Sequence, residues 1–355
     1  MHKANYLADV MGYDVTIVTT EQGGCEPFFH FSPKIKFIDL DVDYGDRADK
    51  KKKNIVWKVF WKFLQKSKHK KRLNNLLNKE KADVVISLFN NDISFLSKIK
   101  DGSKKILEFH FSYSYKLIEA NNPLVRLVQK LRLYVWKKNI SQFDRFVVLT
   151  HEDKASWGGM DNIMVIPNFI PALPIEKSSC SSKRVIAVGR AEYQKGFDML
   201  ITAWKNVAAK FPEWSLDIFG NGEKKLLEYQ ISKLGLNTVV KLHPATKNIA
   251  IEYVNSSLFV LSSRYEGLPM VLLEAMSYGL PVVAFECPCG PKEIIEDSFG
   301  TLVPNGDING LANSIVEWIS NNEKCIEGGR SARIAIQKYT QDVIMKQWVY
   351  LLENN

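Results

Sequence analysis

The sequence predicts an α/β protein of two doubly wound parallel-sheet domains that face a cleft. Three observations lead there. Short apolar runs alternate with helical patterns along most of the chain, as in a parallel sheet covered on both faces. The alternation stops at a stretch rich in Pro and Ser near the middle, then restarts. At 355 residues the chain is longer than one hydrophobic core ordinarily serves.

The chain opens on a helical pattern at residues 3–11, which Gly12 ends, and a strand follows at 14–19. Residues 36–40 read as a second strand, and a long basic helix spans about 54–80. Buried strands are expected at 83–88 and 105–109. Pro123 opens an amphipathic helix that reaches about residue 139, before strands at 145–149 and 163–166. Pro167, Pro171 and Pro174, then Ser178, Ser179, Ser181 and Ser182, read as a linker. Beyond it, strands are expected at 184–188, 216–219, 239–242, 258–261 and 281–285, with a helix at 197–210. The remainder reads as largely helical, and the last helix carries an apolar stripe that includes Ile344, Trp348, Leu351 and Leu352.

Ligands of such sheets bind beyond the carboxyl ends of the strands. The strand at 258–261 runs into a loop with Ser262, Ser263, Glu266 and Gly267, and then a helix starts. Pro269 suits a first helical turn, where a missing N–H costs nothing. The free N–H groups there and the helix dipole suit a phosphate. Glu266 precedes that end and Glu274 lies inside the helix, on the order of 10 Å away at 1.5 Å per residue. One anion site between two carboxylates suits a ligand with hydroxyls at both ends and phosphate in the middle, as in a sugar nucleotide. The plain alternative is a capped helix with solvated carboxylates. The strand at 184–188 ends in Gly189-Arg190 and, a few residues on, Lys195-Gly196. A forked guanidinium and a point-charge ammonium suit a diphosphate, though two surface cations would look the same. Asp39-Leu40-Asp41-Val42-Asp43 reads as a solvated turn, so no metal is expected.

The run from Ser262-Ser263 through Glu266-Gly267-Leu268-Pro269 to Leu273-Glu274-Ala275-Met276 resembles the Glu-x7-Glu motif of the family-four retaining glycosyltransferases, the glycosyl transferases group 1. These have the GT-B architecture of two Rossmann-like domains. The resemblance implies that Glu266 holds donor-sugar hydroxyls and Glu274 the ribose hydroxyls, with Gly267, Leu268, Met270 and Val271 beside them in the donor site. It implies that Arg190 and Lys195 clamp the donor diphosphate. It places His110 across the cleft from the donor sugar, where Glu266 and His110 position and stabilise, although a lone His is commonly structural. Leu242-His243-Pro244 stands where the family makes backbone contacts to the nucleobase, and the usual Gly is absent, which leaves the base open. Gly290-Pro291-Lys292-Glu293-Ile294-Ile295 resembles a stretch of the capsule and cell-wall branch. The implied domains are 1–172 on the acceptor side and 183–338 on the donor side, with residues 339–355 packing back on the first.

The reaction so implied is retaining and metal-independent. It moves sugar from a UDP- or GDP-linked donor, a substrate rather than a cofactor, to a lipid-linked or surface-polysaccharide acceptor. Two rivals stand beside it. An epimerase on the same architecture would need no acceptor, and a decayed, non-catalytic binder would bind nucleotide sugars without turnover.

The formal net charge of +9 is unevenly placed. Residues 1–175 hold 29 Lys and Arg against 19 Asp and Glu, and residues 50–81 alone hold 13 against one. Lys58, Lys62, Lys66 and Lys70 recur every four residues beside Trp57 and Trp61. Residues 123–139 repeat the theme with Arg126, Lys130, Arg132, Trp136, Lys137 and Lys138. Lysines flanking tryptophans suit a helix lying on anionic lipid, and a solvated face packing its aromatics inward is the alternative. No nucleic-acid motif accompanies the charge. No run of 18 apolar residues occurs, and Cys25, Cys180, Cys287, Cys289 and Cys325 are scattered and odd in number. These features fit a cytoplasmic protein peripheral on the inner membrane face, with free thiols. The resemblance also implies a strand and a glycine turn ahead of the first helix. The expectation is that Met1 is internal to a longer protein, with roughly 15–25 residues absent, and that this form is poorly stable and weakly active.

Overall fold

Strands and helices alternate in the computed structural model much as the periodicities predict. It describes residues 1–44, 55–118 and 122–354. The first half comprises α1 (His2–Asp9), β1 (Thr16–Thr19), β2 (Lys36–Asp39), α2 (Ile55–Glu80), β3 (Val84–Ser87), β4 (Lys104–Glu108), α3 (Tyr115–Ile118), α4 (Pro123–Ile140), β5 (Arg145–Val148), α5 (His151–Trp157) and β6 (Ile163–Val165). The second half continues with β7 (Arg184–Val188), α6 (Phe197–Lys210), β8 (Ser215–Phe219), α7 (Lys225–Lys233), β9 (Val240–His243), α8 (Ile249–Val254) and β10 (Leu258–Leu261). It ends with α9 (Met270–Ser277), β11 (Val282–Glu286), α10 (Pro291–Ile294), β12 (Gly300–Pro304), α11 (Ile308–Ile319), α12 (Asn322–Ala335) and α13 (Gln341–Glu353). Residue 54, expected to open the long basic helix, lies outside the described residues, as does the side chain of Lys58.

In the second half, six parallel strands pair in the order β12-β11-β10-β7-β8-β9. This order reverses direction beside β7 and β10, and a crevice opens where the strand order switches. Every residue of β10 is buried, and the sheet shares one core with α6, α9 and α11. Trp204 and Trp318 are fully buried there. Each aromatic of that size stabilises the fold by up to about 4 kcal/mol on area bookkeeping.

In the first half, β3-β4-β5-β6 form one parallel sheet, and β1-β2 form another. The two sheets share both covering layers. Leu40 and Val42, just past β2, pack in the same core as Phe146 and Val148 of β5. Val15, just before β1, packs with Val84, Ile106 and Val147 of β3, β4 and β5. The first half is therefore one parallel layer whose pairing is interrupted between β1 and β3. On one face α13 contributes Ile344, Met345, Trp348 and Leu351 to the cluster that holds Leu7, Ile106 and Val147. The chain's last helix thus closes over the first sheet.

Three sequence readings need correction. Residues 300–304, read as helical, form the edge strand β12 beside β11; Gly and Pro at its ends hid a short apolar run. Pro269 sits at the N-cap of α9 rather than in its first turn. The Pro/Ser stretch is not a loose tether: Ser178 N donates to Tyr278 O at 2.8 Å, Cys180 is buried, and Arg333 donates to Pro174 O. Backbone groups lying against a core must find partners, and here the second half supplies them.

Candidate active site

The loop after β10 enters a helix that is apolar on nearly every side. In α9, Leu272, Leu273, Ala275 and Met276 are all buried, which is the pattern of a helix enclosed by its neighbours. Glu274 is the one acid in that helix. Its Oε2 accepts from the Tyr253 hydroxyl at 3.3 Å. Burial raises the carboxyl above its usual range, and the Tyr253 bond only partly offsets this. The amino end of α9 has no side-chain cap, which leaves its first N–H groups without a side-chain acceptor, the arrangement that suits an anion.

Glu266 is buried, and its carboxylate is held from three sides. Lys195 Nζ donates to Oε1 at 2.7 Å, Ser263 Oγ to Oε1 at 2.6 Å, and Gln194 Nε2 to Oε2 at 3.4 Å. The pairing depends on Gly196. Its φ is +61°, and a Cβ there would stand 2.0 Å from Ser262 O, so only glycine lets the single turn Tyr193–Lys195 lie against the loop after β10. Lys195 O then accepts from Ser262 Oγ at 2.9 Å, and Gln194 O from Arg264 N at 2.7 Å. An ammonium has three donors. Lys195 gives one to Glu266 and can give others to a phosphate oxygen.

Arg190 is not part of this knot. It stands two-thirds exposed and pairs with Glu192 at 3.0 Å. Leu268 is buried and Leu242 partly buried, both against the second-half core, so what these two offer a ligand is backbone. Met270 and Val271 are half-buried at the helix entrance. Beyond Leu242, His243 stacks on Phe219 with ring centroids 4.4 Å apart, and its Nε2 bonds Asp217 Oδ1. Burial would raise the Asp217 carboxyl, but His243 and Arg184 together hold it below its usual range.

The opposite wall comes from the end of β4. A Cβ on Gly267 would stand 2.5 Å from His110 O and 3.2 Å from Phe111 Cα. The two halves thus touch through backbone at that point. His110 Nε2 lies 3.0 Å from Glu108 Oε1, and Lys3 binds the other carboxylate oxygen. Burial alone would raise the Glu108 carboxyl; Lys3 first, then His110, outweigh it and hold the group at about 2. Nearby, the Glu293 carboxylate accepts from His151 N at 2.9 Å and Glu152 N at 2.6 Å. Glu152 in turn accepts from Cys289 N at 3.0 Å. Sequence reasoning missed these interlocking acids, and Tyr253 as well, because each meets a partner far away in the chain. Among the described residues, no group of three or more His, Cys, Asp or Glu is placed to hold a metal ion.

A parallel-sheet crevice with an uncapped helix end, an ammonium on one carboxylate and a second carboxylate inside the helix thus come together on a GT-B fold. The glycosyl transferases group 1 model matches residues 174–334. A Haemophilus influenzae protein described as an uncharacterized glycosyltransferase is 30% identical over 98% of this chain and 93% of its own length. The chain belongs to the glycosyl transferases group 1 family. The crystal structure of a S. aureus TarM mutant in complex with fondaparinux, alpha-GlcNAc-glycerol and UDP is 25% identical. It matches with a TM-score of 0.68 over 79% of this chain and 58% of that one. The fold alone is shared with a Thermosynechococcus elongatus sucrose-phosphate synthase, at 19% identity and a TM-score of 0.81 over 99% of this chain and 91% of that one.

Proposed function

We propose that this glycosyltransferase is retaining and metal-independent. It takes sugar from a UDP- or GDP-linked donor and passes it to a lipid-linked or surface-polysaccharide acceptor, on the inner membrane face and in the capsule and cell-wall branch of the family. The units 1–172 and 183–338 would form the two walls of its cleft. The observation that carries the reading is the Lys195–Glu266 pair beside the uncapped end of α9, with Glu274 held by Tyr253 deeper in. The diphosphate sits on the N–H groups of Met270 and Val271 and on Lys195, where positive charge stabilises the leaving group as the glycosidic bond breaks. Arg190, exposed and paired with Glu192, would join it by leaving that partner. Glu266 orients sugar hydroxyls, and Glu274 takes the ribose. His110 lies on the other wall, where it stabilises the oxocarbenium-like transition state. The acceptor oxygen attacks the face the diphosphate leaves, and a donor phosphate oxygen takes its proton, so the anomeric configuration is kept.

A panel of UDP- and GDP-sugars, followed by nucleoside diphosphate release, tests this. One donor should be turned over, faster with acceptor present, and the product anomer seen by NMR should match the donor. Folded protein that releases no nucleoside diphosphate from any donor would overturn the reading.

A further inference from the structure

α2 and α4 pack on the same core. α2 sends Leu73 and Leu77 into it, and α4 sends Ile140 and Trp136. Both helices therefore cover one face of β3-β4-β5-β6. Each helix also overhangs that core. Among the described residues, none of α2 before Gln65 and none of α4 before Leu133 is buried.

The overhangs are apolar. α4 exposes Leu124, Leu127, Val128, Leu131 and Val135, each between 55 and 73% exposed. Steps of three and four residues put them on one stripe. This stripe is distinct from the Leu133 and Ile140 side that faces the core. α2 exposes Val59, Phe60, Phe63 and Leu64. Exposed cations accompany these residues: Lys62 on α2, with Lys66 and Lys70 just past its overhang, and Arg126, Lys130 and Arg132 on α4. No acid occurs in either overhang. Apolar surface of this extent rarely faces water without a partner, and the basic setting repels a basic partner.

We propose that the overhanging halves of α2 and α4 form a two-helix ridge that inserts into the headgroup and acyl boundary of an anionic lipid bilayer. The inference deepens the membrane-face location proposed above and rests on it, but not on the transfer chemistry. Charge draws the ridge to the surface, and the α4 stripe then holds it there. Contact made by lysines alone would vanish in high salt, whereas inserted leucines would keep part of it. The ridge joins the cleft through α3, which packs on α4 just beyond His110 and Phe111. An acceptor embedded in the bilayer would approach from that side, which selects the lipid-linked class of acceptor.

Co-sedimentation of the purified chain with vesicles tests this, without donor or acceptor. The vesicles are phosphatidylcholine alone, or phosphatidylcholine with about one-third phosphatidylglycerol. The chain should bind the anionic vesicles and retain measurable binding in about tenfold higher salt. Leu127→Asp with Leu131→Asp should lose binding at least tenfold at unchanged far-UV circular dichroism, because both side chains already face solvent. Leu127→Trp should tighten binding, so the proposal does not hang on a loss alone. Double-Asp protein that binds like its parent, or a parent that binds no anionic vesicle at low salt, overturns the proposal. Donor turnover, assayed separately in detergent-free buffer, reports on the transferase reading whichever way the vesicles behave.

Discussion

The two halves of the molecule use parallel sheets in opposite ways. In the second half, six strands pair without interruption over one core, and the groups proposed for the donor hang from strand ends and from a helix enclosed by that core. In the first half, pairing stops between β1 and β3. Val18 and Phe37 stay exposed on β1 and β2, and two helices overhang their core. Groups that must be held to fractions of an ångström belong on the rigid part. A surface that meets a deformable partner tolerates the looser part.

The sharpest way to break that contrast is at the knot. Lys195→Ala should abolish detectable transfer, a loss of at least about 10³-fold. It should also lower stability by about 3–5 kcal/mol, because it strands the buried Glu266 carboxylate. Glu274→Ala should abolish transfer too, yet leave the melting temperature near that of the parent, since it removes a carboxyl that burial already disfavours in its charged form. Near-normal activity in both purified variants would sink the donor-site assignment. Lys195→Ala combined with Glu266→Ala should cost less stability than the two changes summed.

Acid probes the other half. The Glu108 carboxyl is held at about 2, against 4.5 for an ordinary Glu. Its stabilisation is therefore complete above pH 4.5 and disappears as pH falls through about 2. The amount is ~3 kcal/mol. Lys3→Met should flatten the stability profile across that window, and urea unfolding at a series of pH values measures it. A variant as acid-sensitive as the parent would show that Lys3 does not hold this carboxylate.

Gly267→Ala sits between the halves. Its Cβ would meet the His110 carbonyl at 2.5 Å, so one wall must shift, at a cost of about 1–3 kcal/mol and at least tenfold in turnover. Unchanged kinetics would mean the walls are not in contact there during turnover. The smallest effect is expected from Arg190→Gln. The side chain is exposed and paired only with Glu192 among the described ion pairs, so melting should not move. The donor KM should rise severalfold if Arg190 swings onto the diphosphate, and an unchanged KM removes it from the donor site.

Most of the fold could be read along the chain. Residues 184–188 and 197–210 are a strand and a helix with the predicted limits, because apolar period and turn chemistry act within a few neighbours. The Glu266 and Glu274 positions were legible for the same reason: loop, proline and apolar helix stand side by side in sequence. What the sequence by itself determined ends at such local order. The tertiary structure decided that Lys195 binds Glu266, 71 residues on, because a left-handed Gly196 fits only against a loop that arrives from another strand. It decided that Tyr253 holds Glu274 and that Gly267 meets His110, contacts no spacing announces. It also decided which of the two apolar sides of α4 faces the core. Periodicity shows that a stripe is apolar, but only the packing of the remaining elements leaves Leu127 and Leu131 outside.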